Sequence, residues 1–158
     1  MAKILIGFMG SGKSTVASLL DPNFVDMDAV ITERIGMSIA DFFASHGEAK
    51  FREIESQVLE ELADSNQVIA TGGGVVVNPH NRVILAKNPE TIYLKADFET
   101  LYQRIQNDEA NVRPLFVNND KASFKAIFDS RQDFYEESAN IIIDVNQKSP
   151  EEIIGLIK

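Results

Sequence analysis

The run Gly7-Phe8-Met9-Gly10-Ser11-Gly12-Lys13-Ser14 has the spacing of a phosphate-binding loop: glycine, four residues, then glycine, lysine and a hydroxyl residue. The apolar run Ile4-Leu5-Ile6 precedes it and a helical pattern from Thr15 to Leu20 follows. The loop therefore joins a buried strand to a helix N-terminus. There, glycines let backbone N–H groups curl around an anion, and the helix dipole adds positive potential. Gly10, Ser11 and Gly12 would line the anion, and Lys13 can reach the β- and γ-phosphates of a nucleotide. The Ser14 hydroxyl can bind Mg²⁺, and Thr15 offers a further N–H and hydroxyl near the α-phosphate. A glycine turn that only joins strand to helix is the simpler alternative.

Three further groups could act on whatever accepts or holds that phosphate. Val25-Asp26-Met27-Asp28 puts two carboxylates at the end of the second apolar run. Ligands of open α/β sheets bind outside the carboxyl ends of strands, so both acids are expected to face the phosphate site. Capping is the competing role, with Asp28 as N-cap of a helix starting at Ala29. Arg52 and Glu55 lie three apart near the start of a long helix and so share a face, as an ordinary surface ion pair also would. Thr71-Gly72-Gly73-Gly74 follows the third apolar run directly, where glycines allow a ligand close to the backbone and where a loose loop is the alternative.

The elements that must position these residues are legible in the periodicity. Strand-like runs recur at Lys3–Gly7, Phe24–Val25, Gln67–Thr71, Thr91–Leu94 and Asn140–Val145. Between them lie helical patterns at Ala29–Ile35, Ile39–Ser45, Glu48–Asp64, Asn81–Lys87, Phe98–Gln106 and Lys121–Ser138, with a last one from Pro150 to Lys158. Strands alternating with helices predict βαβ units and a parallel sheet, hence an α/β fold. Asn107–Asp120 is the one long polar interruption; it contains Arg113-Pro114 and reads as a mobile loop.

Composition bounds the rest. A chain of 158 residues, 44% hydrophobic and 25% charged, suits one soluble domain with one sizeable core, 1–158. The net charge of −9 argues against nucleic acid or an anionic membrane as partner. There is no cysteine, which removes disulfides, thiolate metal sites and a cysteine nucleophile and fits a cytoplasmic protein. The N-terminus, one lysine and then a strand, is not expected to be a signal peptide. His46 and His80 fall in different elements, so a histidine metal site is not expected. Met9 and Met27 are expected to pack near the floor of the site, and Glu60 and Glu61 to face solvent.

In order and spacing, the chain resembles the shikimate kinase family. The resemblance rests on the phosphate loop, Asp26-x-Asp28, Ile39-x-x-Phe42-Phe43 leading into Gly47-Glu48, and Phe51-Arg52-x-x-Glu55. It continues through Thr71-Gly72-Gly73-Gly74, Arg113-Pro114-Leu115 and Arg131-x-x-x-Tyr135. It implies a P-loop three-layer α/β/α fold with a central five-stranded parallel sheet, nucleoside-monophosphate-kinase-like, with a mobile lid near 107–120 and a substrate-binding helical region near 28–58. It implies transfer of phosphate from ATP, with Mg²⁺, to a ring hydroxyl of shikimate by a cytoplasmic monomer. Asp28 would hold shikimate hydroxyls and act as base. Arg52 and Arg131 would clamp the shikimate carboxylate, a task suited to guanidinium forks. Gly72, Gly73 and Gly74 would touch the ring, Phe42 and Phe51 would wall the pocket, and Glu55 would orient Arg52. Asp26 would hold Mg²⁺ through water beside Ser14. Arg113 would reach the phosphates from the lid, Arg104 would stack on adenine, and Ile143-Asp144 with Pro150 would form the adenine loop. Two departures stand out. The stretch from Ser14 to Asp26 is about one helical turn short of the family's usual length. The lid carries acids at Asp108 and Glu109, which must point away from a triphosphate.

Overall fold

The central strand is apolar because it has no wet face. Ile4, Leu5 and Ile6 of β1 (Lys3–Ile6) are fully buried, as a strand covered on both faces of a parallel sheet must be. The computed structural model of the chain describes residues 2–107 and 119–157. After β1 come α1 (Lys13–Leu20), β2 (Val25–Asp26), α2 (Met27–Ile35), α3 (Ile39–His46), α4 (Glu48–Ala63) and β3 (Val68–Ala70). A single 3₁₀ turn (Val75–Val77), α5 (Pro79–Lys87), β4 (Thr91–Lys95) and α6 (Phe98–Asn107) follow. The described part ends with α7 (Lys121–Ser138), β5 (Ile141–Asp144) and α8 (Pro150–Ile157).

The strands form one parallel sheet in the order β2-β3-β1-β4-β5. Leu5 of β1 pairs with Ala70 of β3 on one side and Ile92 of β4 on the other. The chain thus leaves β1 for one half of the sheet and returns to fill the other. The loops after β1 and β3 meet at the carboxyl edge, where open α/β sheets bind ligands. Helix α1 packs on α8, while α5 packs on α4 and α7, and these groups flank the sheet as the expected three layers.

Each strand and helix expected from periodicity is present, with shifted starts. Helix α1 begins at Lys13 rather than Thr15 and has eight residues. Its far end closes tightly: Asp21 N–H bonds the Ala17 carbonyl, and the Asp21 side chain accepts from Asn23 N–H at 2.8 Å. This turn brings the chain to β2 without another helical turn. Helix α2 begins at Met27, two residues early, for a capping reason given below. Helix α5 begins at Pro79, where a missing N–H costs nothing, and Asn78 caps it by accepting from His80 N–H at 2.9 Å.

The edge of the sheet opposite the ligand loops is tied by one buried asparagine. Asn88 Nδ2 donates to the Ala2 carbonyl at 3.0 Å and to Thr91 Oγ1 at 3.3 Å. Its own carbonyl accepts from Asn140 Nδ2 at 2.6 Å, so the starts of β1, β4 and β5 share one residue. Asn88→Ala removes donors from a buried place, and we expect it to lower unfolding stability by about 1–3 kcal/mol. Urea unfolding checks this, and a midpoint equal to the parent's would show the contact to be energetically idle.

Candidate active site

The loop after β1 is built by three glycines and one anchor. Gly10 and Gly12 hold φ of 84° and 92°, a left-handed backbone that side chains resist. A Cβ on Gly7 would sit 2.8 Å from Ser11 Oγ and 2.9 Å from the Leu94 carbonyl. Phe8 points inward, fully buried, with its ring edge-on to Phe124 at 5.4 Å and Phe128 at 5.3 Å. The loop is thereby fixed to α7. From the other side, Arg104 of α6 donates to the Gly10 carbonyl at 3.2 Å. The exposed Arg104 guanidinium lies over the phosphate loop itself.

Helix α1 starts at this loop with no side-chain cap, so its first N–H groups are left for an anion. Lys13 Nζ donates to the Gly7 carbonyl at 2.5 Å and the Phe8 carbonyl at 3.2 Å. Ser11 Oγ is buried and has no hydrogen-bond partner among the described residues. Ser14 and Thr15 are exposed in the first turn.

The paired acids divide their work differently from the capping expectation. Asp26, not Asp28, is the N-cap of α2: its Oδ1 accepts from Asp28 N–H at 3.0 Å and Ala29 N–H at 3.4 Å. An aspartate caps best from the residue just before the helix, and the helix starts at Met27. Capping therefore starts the helix early and leaves the Asp28 side chain free of that task. Asp28 points into the site, so close to the glycine turn that a Cβ on Gly72 would lie 2.7 Å from its Oδ1. Burial pushes the Asp28 carboxyl above its ordinary 3.8, and the Asp26 charge adds to this, while Lys13 and Arg52 pull the other way.

The glycine turn carries the basic side as well. Arg52 Nη1 donates to Glu55 Oε1 at 2.9 Å and to the Gly74 carbonyl at 3.2 Å. A Cβ on Gly74 would lie 2.8 Å from Arg52 Nη2, so only glycine leaves room for the guanidinium. Glu55 is buried, and Arg52 Nε is buried with no partner among the described residues. Burial raises the Glu55 carboxyl above its ordinary 4.5 against the pull of Arg52, and the Arg131 charge also reaches it. Arg131 is half-buried on α7, its guanidinium 6.0 Å from the centre of the Phe8 ring. Glu136, a possible partner on the same helix, is paired with Lys95 at 2.7 Å.

The structure thus gathers Lys13, Asp28, Arg52 and Arg131 around the phosphate loop and the Gly72–Gly74 turn. Arg113 lies outside the described residues. Phe51 and Phe42 are buried core side chains, with Phe43 tilted against Phe51 at 4.8 Å and His46 stacked on Phe42 at 4.5 Å. His80 pairs with Glu60, and Glu61 with Arg34, on the exposed side of α4. Sequence reasoning missed Phe8 as an anchor, because it occupies a variable position of the loop pattern. It also left Tyr135 without a role, although its spacing from Arg131 puts both on one helical face.

Oxygen donors of the kind a Mg²⁺–nucleotide complex needs are present. The exposed Ser14 hydroxyl starts α1, and Asp26 is an exposed carboxylate whose cap uses only Oδ1. Among the described residues no three His, Cys, Asp or Glu side chains cluster as a metal cage. Mg²⁺ is held by few protein oxygens together with phosphates and water, so this sparse set fits it.

A glycine loop before an uncapped helix, facing a carboxylate and two arginines across a parallel sheet edge, defines a P-loop small-molecule kinase. The shikimate kinase family model matches residues 9–158. The shikimate kinase of Streptococcus gordonii is 58% identical, and the match covers 100% of this chain and 99% of the relative. A solved structure of shikimate kinase from Acinetobacter baumannii in complex with shikimate superposes with a TM-score of 0.87. That pair is 33% identical, over 99% of this chain and 89% of the other. The chain belongs to the shikimate kinase family. A gluconokinase from Sinorhizobium meliloti, 16% identical with a TM-score of 0.57 over 98% of this chain and 87% of the other, shares the fold alone.

The half-buried Asp28 carboxylate makes a stability prediction. The folded chain holds the Asp28 proton more tightly than the unfolded chain, so ionising it costs stability. That cost is absent well below pH 3.8, grows as pH rises above 3.8, and levels off once pH has passed the raised pKa. Asp28→Asn is therefore expected to melt above the parent at pH 7, with the gap closing as pH falls towards 3.8. Thermal melts across that range check this; a variant melting lower at pH 7 would make the Asp28 charge net stabilising.

Proposed function

We propose that this chain carries out its family's reaction, ATP-dependent phosphorylation of a ring hydroxyl of shikimate to give shikimate 3-phosphate, with the residues gathered at the sheet edge in defined roles. The observation that carries the reading is the placement of Asp28 and Arg52 on the same glycine turn, beside the loop that holds Lys13. The triphosphate of ATP lies along Gly10, Ser11, Gly12, Ser14 and Thr15. Lys13 leaves the Gly7 and Phe8 carbonyls for the β- and γ-oxygens, exchanging neutral acceptors for charged ones. Ser14, and Asp26 through water, would hold Mg²⁺, which would neutralise phosphate charge. Arg104 sits where the nucleotide crosses the loop, and Arg113 completes the phosphate contacts from the segment near 107–120.

The acceptor is a carboxylated ring bearing hydroxyls, held by the region near 28–58 and by α7. Arg52 and Arg131 take its carboxylate, and the backbone of Gly72, Gly73 and Gly74 lies against its ring. Asp28 accepts a hydrogen bond from the reacting hydroxyl. As that oxygen bonds to the γ-phosphorus and the bond to the departing ADP oxygen breaks, the hydroxyl proton passes to Asp28. Its raised pKa makes it a better proton acceptor than an ordinary carboxylate. Positioning and charge stabilisation provide most of the rate. The groups described on both donor and acceptor sides come from one chain, which supports a monomer, and the cysteine-free composition suits the cytoplasm. Among the described residues no helix is long and apolar enough to cross a membrane.

ADP release measured against shikimate concentration tests the whole reading. Shikimate-dependent turnover is expected, and Lys13→Ala is expected to abolish it without unfolding the chain. Turnover that ignores shikimate, or that needs gluconate instead, would overturn the assignment. Arg131→Lys keeps the charge but loses the fork. A charge-assisted bond contributes about 1.5–3 kcal/mol, so the KM for shikimate should rise roughly ten- to a hundredfold while ATP affinity stays put. An unchanged KM would leave Arg131 as a surface residue of α7.

A further inference from the structure

One buried polar network ties the helix that carries Arg52 to the glycine turn that this arginine touches. Ser56 lies four residues after Arg52 on α4, and so on the same face. Its hydroxyl donates to Asn81 Oδ1 at 2.7 Å, and Asn81 Nδ2 donates to the Val75 carbonyl at 3.0 Å. Asn78 Nδ2 donates to Ser56 Oγ at 2.9 Å, while Asn78 Oδ1 caps α5 by accepting from His80 N–H. One group fixes all these directions. A peptide carbonyl can only accept, so the Asn81 amide nitrogen must face Val75 and its oxygen must face Ser56. The single Ser56 proton then goes to Asn81, and the serine oxygen accepts from Asn78.

The Val75 end of the network reaches the turn through the backbone. Val75 N–H donates to the Gly72 carbonyl at 3.2 Å, and Val77 N–H donates to the Gly74 carbonyl at 3.1 Å. The Gly74 carbonyl also accepts from Arg52 Nη1 at 3.2 Å. Helix α4 thus meets the same turn twice, through Arg52 and, one helical turn on, through Ser56 and Asn81. Val58 and Leu59 of α4 are fully buried, but apolar packing is non-directional and does not fix a helix along its own axis. A satisfied hydrogen-bond network in the interior does. The site leaves little slack, since a Cβ on Gly74 would already lie 2.8 Å from Arg52 Nη2.

We infer that Ser56 and Asn81 are positioning residues of the acceptor site, which hold α4 against the glycine turn and so set where the Arg52 guanidinium stands. Neither need touch substrate; both act through Arg52. This role rests on the acceptor reading proposed above, and the test separates the two.

Ser56→Ala removes the α4 end of the network and keeps the Asn81 bond to Val75. Asn88→Ala is the control, because it also breaks a buried asparagine network, at the opposite edge of the sheet. Both are measured on the full chain by thermal melts and steady-state kinetics, and both should melt below the parent. Ser56→Ala is expected to raise the KM for shikimate about tenfold, the equivalent of one weakened hydrogen bond to a charged group. Its kcat and its KM for ATP should match the parent's, and Asn88→Ala should leave all three constants unchanged. In an Arg52→Lys background the rise caused by Ser56→Ala should largely vanish, because the fork it places is already gone. Asn78→Asp is a milder variant. It keeps a cap on α5 but replaces the donor facing Ser56 with an acceptor that competes with Asn81 for the serine proton. A smaller rise in the same KM is expected, and this variant carries the test if Ser56→Ala does not fold. If the parent fails to phosphorylate shikimate, the acceptor reading itself falls. If the parent is active and the variant keeps the parent's KM for shikimate, only the positioning role falls. An equal rise in the KM for ATP, an equal rise in Asn88→Ala, or an undiminished rise in the Arg52→Lys background would make the network purely structural and overturn the inference.

Discussion

The turn at Gly72–Gly74 has no room for side chains at its two ends, and the site depends on that. A Cβ at Gly72 would collide with the Asp28 carboxylate, and one at Gly74 with the Arg52 guanidinium. Neither glycine has a positive φ. They are needed for the space they leave rather than for the backbone they adopt. A carboxylate from α2 and a guanidinium from α4 can approach one strand end only because that end is bare. A side chain at Gly72 or Gly74 would push one of them away and change the distance between acid and base that a transfer reaction needs.

The turn is itself held from beneath. Asn81 is fully buried and donates to the Val75 carbonyl at 3.0 Å, while its Oδ1 accepts from Ser56 at 2.7 Å. Arg82 donates to the Val76 carbonyl at 2.8 Å and lies over the Phe134 ring at 4.0 Å. Helices α4, α5 and α7 thus grip the peptide that follows the glycines. Irregular backbone can be buried because its carbonyls find donors. The phosphate loop has a different support, the Phe8 ring against Phe124 and Phe128. One half of the site rests on hydrogen bonds and the other on aromatic packing, and α7 contributes to both.

The electrostatics show what such a site costs. Asp28 and Glu55 both have their carboxyls raised by burial, and the nearby Lys13, Arg52 and Arg131 offset that only in part. Removing one partner of a buried ionic group is far costlier than removing an exposed pair. Arg52 and Glu55 are therefore better seen as one unit than as a helix-surface salt bridge, the alternative that spacing alone allowed. Exposed pairs such as Lys125 with Asp129 at 2.9 Å contribute little.

Local pattern determined a good deal by itself. The apolar runs at Ile4–Ile6 and Thr91–Leu94 announced buried parallel strands, because a strand with two covered faces must be apolar throughout. The glycine, lysine and serine spacing announced an anion loop, because its chemistry lies in the backbone and in three consecutive residues. Helix starts were less legible. Asp26 and Asp28 are both good caps, and which one caps depends on where β2 stops pairing with β3, a contact with residues over forty positions away. The same limit applies to the site. Arg52 beside Glu55 follows from helical spacing, but its bond to the Gly74 carbonyl does not, nor does the Tyr135 contact with Gly73. Those contacts join residues 22 and 62 positions apart. The sequence alone determined which residues could bind phosphate and which elements carry them, since these are properties of neighbours along the chain. Only the tertiary structure decided which side chains share one turn, because the order of strands in the sheet, not the order of residues, brings those loops together.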